Sequence, residues 1–189
     1  MSRAYRISVK ESINRVIKAE DRVGTELEIL EVLPSEQMAE LLAQALEGQG
    51  FERREGLMVR EQNGVTVTVD PRTGKVEVLA ESSEQTEVQG EKTGSAWDDV
   101  GPGGKQVREN LREQLKKDLE KKVESKQATL QSQVTDRLEG ELRDIREELD
   151  RVVNRVTAEA LKTKAAQLGQ IKEISEDPQA GSLTIVVEV

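Results

Sequence analysis

From Tyr5 the odd positions read Tyr5, Ile7, Val9, Glu11, Ile13, Arg15 and Ile17, while the even positions between them are almost all polar. A period of two predicts a strand with one wet face. Residues 19–24 are polar and predict a reversal. Leu27, Ile29, Leu30, Val32 and Leu33 predict a second strand, with a phase slip near Leu30 that fits a bulge. The expectation is a long N-terminal hairpin. After Pro34 the period changes. Met38, Leu41, Leu42, Ala45 and Leu46 fall on one face of a helix, with Ser35 as its N-cap and Gly48 and Gly50 as its stop. Phe51 then opens a strand region in which Leu57 and Val59 alternate with Met58 and Arg60. Asn63-Gly64 predicts a two-residue hairpin before Val65, Val67 and Val69, and a turn from Asp70 to Gly74 precedes Val76, Val78 and Ala80. These make a three-strand antiparallel meander.

Residues 82–104 have no apolar period, are rich in Glu, Ser, Gly and Gln, and close with Gly101-Pro102-Gly103-Gly104. Such a stretch predicts an acidic flexible linker. Residues 105–168 contain no proline and one glycine, Gly140. Their apolar positions run Val107, Leu111, Leu115, Leu119 and Val123, then after a polar gap Leu130, Val134, Leu138, Leu142, Ile145 and Leu149. The mean step exceeds that of a heptad, which points to a straight or slightly right-handed helix nearer an eleven-residue repeat. At about 1.5 Å per residue such a helix reaches roughly 95 Å, against ~23 Å for a seven-residue strand. It therefore projects as an arm over 105–150, or folds back as a helical hairpin with its turn near 124–129. The continuous helix is favoured because the polar gap lacks Gly and Pro. Val152, Val153, Val156, Ala160, Leu161, Ala165 and Leu168 form a denser stripe that is expected to dock on the sheet. Gly169 ends the helix. Ile171 and Ile174, a turn over 177–181, and Leu183, Ile185, Val187 and Val189 predict a closing hairpin. The fold class is α+β, an antiparallel sheet in the order ββ-α-βββ-α-ββ with a very long charged helix. Its α+β domain is built from 1–81 and 151–189, with the linker at 82–104 and the arm at 105–150 between them.

Composition removes several chemistries. The 189 residues include no cysteine and no histidine. That excludes disulfides, thiolate nucleophiles, Cys/His zinc sites and imidazole general bases. Tyr5, Phe51 and Trp97 are the only aromatics, too few for a base-stacking platform. The net charge of −9 argues against nucleic acid or an anionic membrane as the general partner. No apolar run approaches a membrane span and no signal-peptide core opens the chain, so the cytoplasm is the expected compartment.

Each candidate site has a plain alternative. Gly101-Pro102-Gly103-Gly104-Lys105-Gln106 lacks the spacing, the Ser or Thr, and the preceding strand of a phosphate loop, and reads as a hinge. Glu26 with Glu28, and Asp98 with Asp99, are the available carboxylate pairs. Nothing in the pattern buries them, so solvated charge is expected, with no catalytic residue, no metal and no cofactor. The front of the long helix is basic, yet Glu113 with Lys117 and Asp118 with Lys122 are i, i+4 pairs that support a solvated helix. Val107, Leu111, Leu115, Leu119 and Val123 form a narrow apolar seam on a segment expected to lie beyond the sheet. Such a seam calls for another helix: one from the same chain, from a second copy, or from a different protein. Trp97, alone in an acidic stretch, is either a docking anchor or a residue folded onto its own domain.

The helix over 35–46 running into Gly48-Gln49-Gly50-Phe51, the segment Asn63-Gly64-Val65-Thr66-Val67, and the helix end Lys164-Ala165-Ala166-Gln167-Leu168-Gly169 form a recognisable set. With Ile171-Lys172-Glu173-Ile174 and the close from Gly181 to Val189, they resemble the small α+β accessory proteins of the FtsH ternary systems. They are more distantly similar to an uncharacterised chloroplast and cyanobacterial reading-frame family. The resemblance covers residues 4–81 and 155–189. It implies no catalytic motif and one kind of partner, an FtsH-like AAA+ ATPase of bacterial conflict or stress systems. The functional expectation is therefore a non-enzymatic accessory or adaptor protein that works through its helical arm and linker. A self-assembling homo-oligomeric coiled-coil or filament module is the alternative, and nucleic-acid binding through the basic helix front a third.

Overall fold

The computed structural model describes residues 4–97, 101–177 and 182–188. The elements are β1 (Tyr5–Glu26), α1 (Ser35–Glu47), β2 (Glu52–Arg54), β3 (Leu57–Gln62), β4 (Val65–Val69), β5 (Lys75–Ala96), α2 (Pro102–Leu168), β6 (Gln170–Asp177) and β7 (Ser182–Glu188). Five strands form an antiparallel sheet in the order β1-β5-β4-β3-β2, and β6 pairs with β7 in a separate two-stranded sheet. The class is α+β with one long helix. The chain divides into two compact units, one of residues 1–20 with 81–135 and one of 21–80 with 136–189.

In the unit of 21–80 and 136–189, the sheet buries one face. Val65, Val67 and Val69 stand opposite Ala80, Val78 and Val76, and all six are buried. Between them, Thr66, Thr68, Glu77 and Leu79 point the other way and keep contact with water. Opposed apolar pairs of this kind are what stabilises a one-sided sheet. Helix α1 contributes Met38, Leu42, Ala43 and Leu46 to the core, and α2 contributes Leu138, Ile145, Leu149, Val152, Val156 and Ala160. The turn at Asn63-Gly64 forms as expected, with φ of 54° and 74°, the left-handed pair that a two-residue hairpin needs. Met58 and Arg60, rather than Leu57, face inward from β3. Arg60 lies 4.6 Å over the Phe51 ring and donates to both Glu148 oxygens, at 2.5 and 2.8 Å. That two-pronged ion pair holds α2 against β3.

In the unit of 1–20 and 81–135, the observed strands differ most from the sequence reading. β1 is one strand of 22 residues, where a hairpin with a reversal at 19–24 was expected. Ile7, Val9, Ile17 and Ala19 are its buried positions here. All are odd, and the half-buried Asp21 and Val23 carry the same period through the polar run that suggested a turn. The second strand expected at 27–33 is not a strand. That segment leads into α1, held at its start by Leu27 N–H donating to the Gly74 carbonyl at 2.8 Å.

The larger correction concerns 82–104. β5 continues to Ala96, so residues 82–96 are strand and not linker. Thr86, Val88 and Ala96 are buried, and Gly90, Lys92 and Gly94 half-buried, each with exposed neighbours on either side. The period of two is present, but apart from Val88 and Lys92 it is written in small residues. Their size has a reason: a Cβ on Gly90 would sit 2.8 Å from Leu115 Cδ1, and one on Gly94 3.1 Å from Leu111 Cδ1. The helix packs so close that this stretch of strand carries little side chain.

Helix α2 is one continuous helix of 67 residues, not a helical hairpin. It begins at Pro102, so Pro102, Gly103 and Gly104, expected as a hinge, form its first turn. Likewise, Pro34 occupies the N-cap of α1, and Ser35 is its first helical residue with no side-chain cap bond. Val123, Val134, Ile145 and Val156 are buried at steps of eleven, as are Leu138, Leu149 and Ala160. An eleven-residue repeat keeps one stripe of a nearly straight helix on one side. Buried positions occur from Leu115 to Ala165, so no bare arm separates a docked end from a projecting one. The turn expected at 177–181 falls largely on residues outside those described, as do Asp98, Asp99, Val100 and Val189.

Candidate interaction site

The seam residues lie on α2 facing the last third of β5. Leu115, Leu119 and Val123 are buried, and Val107 and Leu111 are half-buried. The reading that left this seam uncovered is corrected by the strand it did not foresee. Leu119 and Leu115 fill the hollow at Gly90, and Leu111 and Val107 the hollow at Gly94. Side chains of one element settling into a glycine groove of another give close contact with little lost rotamer freedom. The first three are therefore core, while Val107 and Leu111 keep some surface.

Trp97 stands differently. It follows the last residue of β5 and is 74% exposed, the largest fraction among the large apolar side chains that remain at the surface. An indole held in water by the end of a strand offers a large apolar contact at small entropic cost. Three residues before it is Gly94, over which Val107 and Leu111 pack. Gly94 and Ala96 face α2, whereas Trp97 falls on the alternate, exposed parity.

Several charges around the seam are paired or hydrogen-bonded. Lys92 bonds Asp118 at 2.7 Å, Arg112 lies 3.5 Å from Glu11, and Lys126 donates to the buried Thr86 hydroxyl at 2.7 Å. Ser8 donates to Glu91, which also lies 3.5 Å from Lys10. The Asp118 carboxyl is held below its ordinary range chiefly by the Lys92 ammonium, and Glu91 chiefly by the Ser8 hydroxyl. Every carboxylate with a resolved shift among the described residues is lowered, toward the ionised form rather than toward a general acid. Part of the basic front of α2 is thereby engaged within the protein.

Of the carboxylate pair at 26 and 28, both members line a groove of about 490 Å³ in the other unit. Val76, Val78, Ile145 and Leu149 are among its apolar walls, and Arg146, Asp150 and Asn154 stand beside the glutamates. The described residues contain no group of three or more acidic side chains placed to hold a metal ion. Nor does any helix among them have the length and apolarity to cross a membrane.

Sequence reasoning passed over one surface. Among the described residues of the β6–β7 hairpin no side chain is fully buried. Leu183, Ile185 and Val187 are half-buried, and Ile174 and Val186 are 44% exposed. The signal was present as the uncharged run from Ser182 to Val187 in a chain that is 34% charged.

The molecule is thus an α+β protein with one eleven-repeat helix and a one-sided antiparallel sheet. The family model for FtsH ternary system domain X5 matches residues 1–189, the whole chain, and the protein belongs to that family. Comparison with curated proteins and with solved structures gives no significant match in either case.

Proposed function

We propose that the chain is a non-enzymatic accessory protein that docks on an FtsH-like AAA+ ATPase, with Trp97 as the anchor. Membership of the FtsH ternary system family supports the accessory role. The observation that carries the docking reading is Trp97, three-quarters exposed at the end of a 22-residue strand. Leu115, Leu119 and Val123 act by holding the helix on β5, not by meeting the partner. Aromatic anchors of this kind dominate binding energy, and losing one costs about 2 kcal/mol or more, roughly thirtyfold in affinity.

The test is titration of the purified AAA+ component of such a system with the full chain, read by calorimetry and by the ATPase rate. Wild type is expected to bind and change the rate, and Trp97→Ala to weaken binding at least tenfold with an unchanged melting curve. Absence of binding by the wild type, or equal binding by Trp97→Ala, overturns the proposal.

A further inference from the structure

We infer that β7 pairs antiparallel with the β7 of a second copy, joining two β6–β7 hairpins into one four-stranded sheet about a two-fold axis at Ile185. The hairpin needs such a completion. A lone two-stranded sheet is marginal in water, and among its described residues this one buries no apolar side chain fully. β7 has β6 on one side and no strand on the other among the described residues.

The pattern along β7 selects its occupant. Exposed strand edges are ordinarily guarded by lysine, proline or inward charge. β6 carries such guards in Lys172, Glu173 and Glu176, whereas β7 is uncharged from Ser182 to Val187. Its one charge, Glu188, is bonded to Lys172 of its own hairpin at 2.8 Å. Around Ile185 the strand matches itself. Two antiparallel copies place Leu183 opposite Val187 and Thr184 opposite Val186, with Glu188 opposite Ser182. Both faces continue across the axis, and no like charges meet. The half-buried Leu183, Ile185 and Val187 of each copy merge into one apolar face. A strand pair of this length covers less than the roughly 1,600 Å² of a standard interface, so the dimer is concentration-dependent.

Light scattering behind size exclusion tests this on the full chain from low micromolar to several hundred micromolar. The wild-type mass is expected to climb from 21.0 kDa toward two copies. Ile185→Lys, which sets two ammonium groups face to face, is expected to stay at one copy, and mixing it with Ile185→Glu to restore association. Ile185→Cys supplies a conservative second readout, because the chain has no cysteine of its own. A short bis-maleimide should link its copies several-fold more efficiently than those of Leu30→Cys, a control at an exposed site remote in sequence. A wild-type chain that remains at 21.0 kDa throughout overturns the inference, including the case in which it binds another protein's extended peptide at this edge. Equal association by Ile185→Lys, or cross-linking no better than the control, overturns it as well.

Discussion

Glycine 90 and glycine 140 sit in the same protein under opposite constraints. A side chain at Gly90 meets Leu115 Cδ1 at 2.8 Å and Leu119 Cδ2 at 3.3 Å, while one at Gly140, exposed on α2, meets nothing within 4 Å. Gly90→Val is therefore expected to cost about 1–3 kcal/mol through overpacking. Gly140→Ala should gain about 0.5–1 kcal/mol by removing backbone freedom from the unfolded chain. Urea unfolding of the two variants against wild type checks both signs. Asp70 is a second informative residue. Its carboxylate accepts from the Thr73 hydroxyl at 2.8 Å and the Arg72 N–H at 2.9 Å, and the Thr73 bond chiefly lowers its pKa. A carboxyl depressed in the folded state contributes stability above its unfolded value, near 3.9, and loses it as pH falls through the lower folded value. Asp70→Ala is thus expected to cost about 1 kcal/mol near pH 7. The gap to wild type should narrow once the pH drops below the unfolded carboxylate range, as measured by urea midpoints at several pH values.

Among the elements, the outer half of β5 has the clearest experimental signature. Glu84, Glu87 and Glu91 lie within a strand, so a glutamate-specific protease should leave them uncut under native conditions and cleave them once urea unfolds the chain. Rapid native cleavage there would return the segment to a linker. The seam above it follows from the same packing. Leu119 is 0% exposed, so Leu119→Ala should cost about 2–5 kcal/mol, with a lower thermal midpoint, and act on folding before it acts on any partner. These elements also show why the sequence was legible in some places and opaque in others. β3, β4 and the start of β5 were readable because large Val and Met side chains alternate across an Asn-Gly turn. Residues 82–96 alternate equally well, yet Val88 is the one large apolar residue on the inward side, beside Ser82, Thr86, Gly90, Lys92, Gly94 and Ala96, too little to register as a hydrophobic period. The polar run at 19–24 hid a continuous strand because only Ala19 and Val23 mark its inward side.

For the molecule as a whole, charge limits the partners. A chain with a net charge of −9 is repelled overall by a phosphate backbone, and Arg112 and Lys126 of the basic helix front are already engaged by Glu11 and Thr86. Fluorescence anisotropy with labelled DNA or RNA at physiological salt is expected to show no saturable binding. Tight, steeply salt-dependent binding would revive the nucleic-acid reading. The candidate surfaces were only partly visible beforehand. Trp97 stood out as a lone aromatic and is exposed, whereas the seam was assigned to a partner and is mostly core.

The sequence by itself determined the two helices, the one-sided meander and closing hairpin, the eleven-residue stripe along α2, and the lack of cysteine and histidine. Each of these is written in local periods or in composition, which need no knowledge of neighbours. Tertiary structure alone decided what the apolar stripe of α2 covers and how far β1 and β5 run. Whether a small-residue stretch is a linker or a strand depends on whether a helix lies close enough to need the space. That closeness is a property of packing between segments far apart in the chain, such as Gly90 with Leu115 and Leu119.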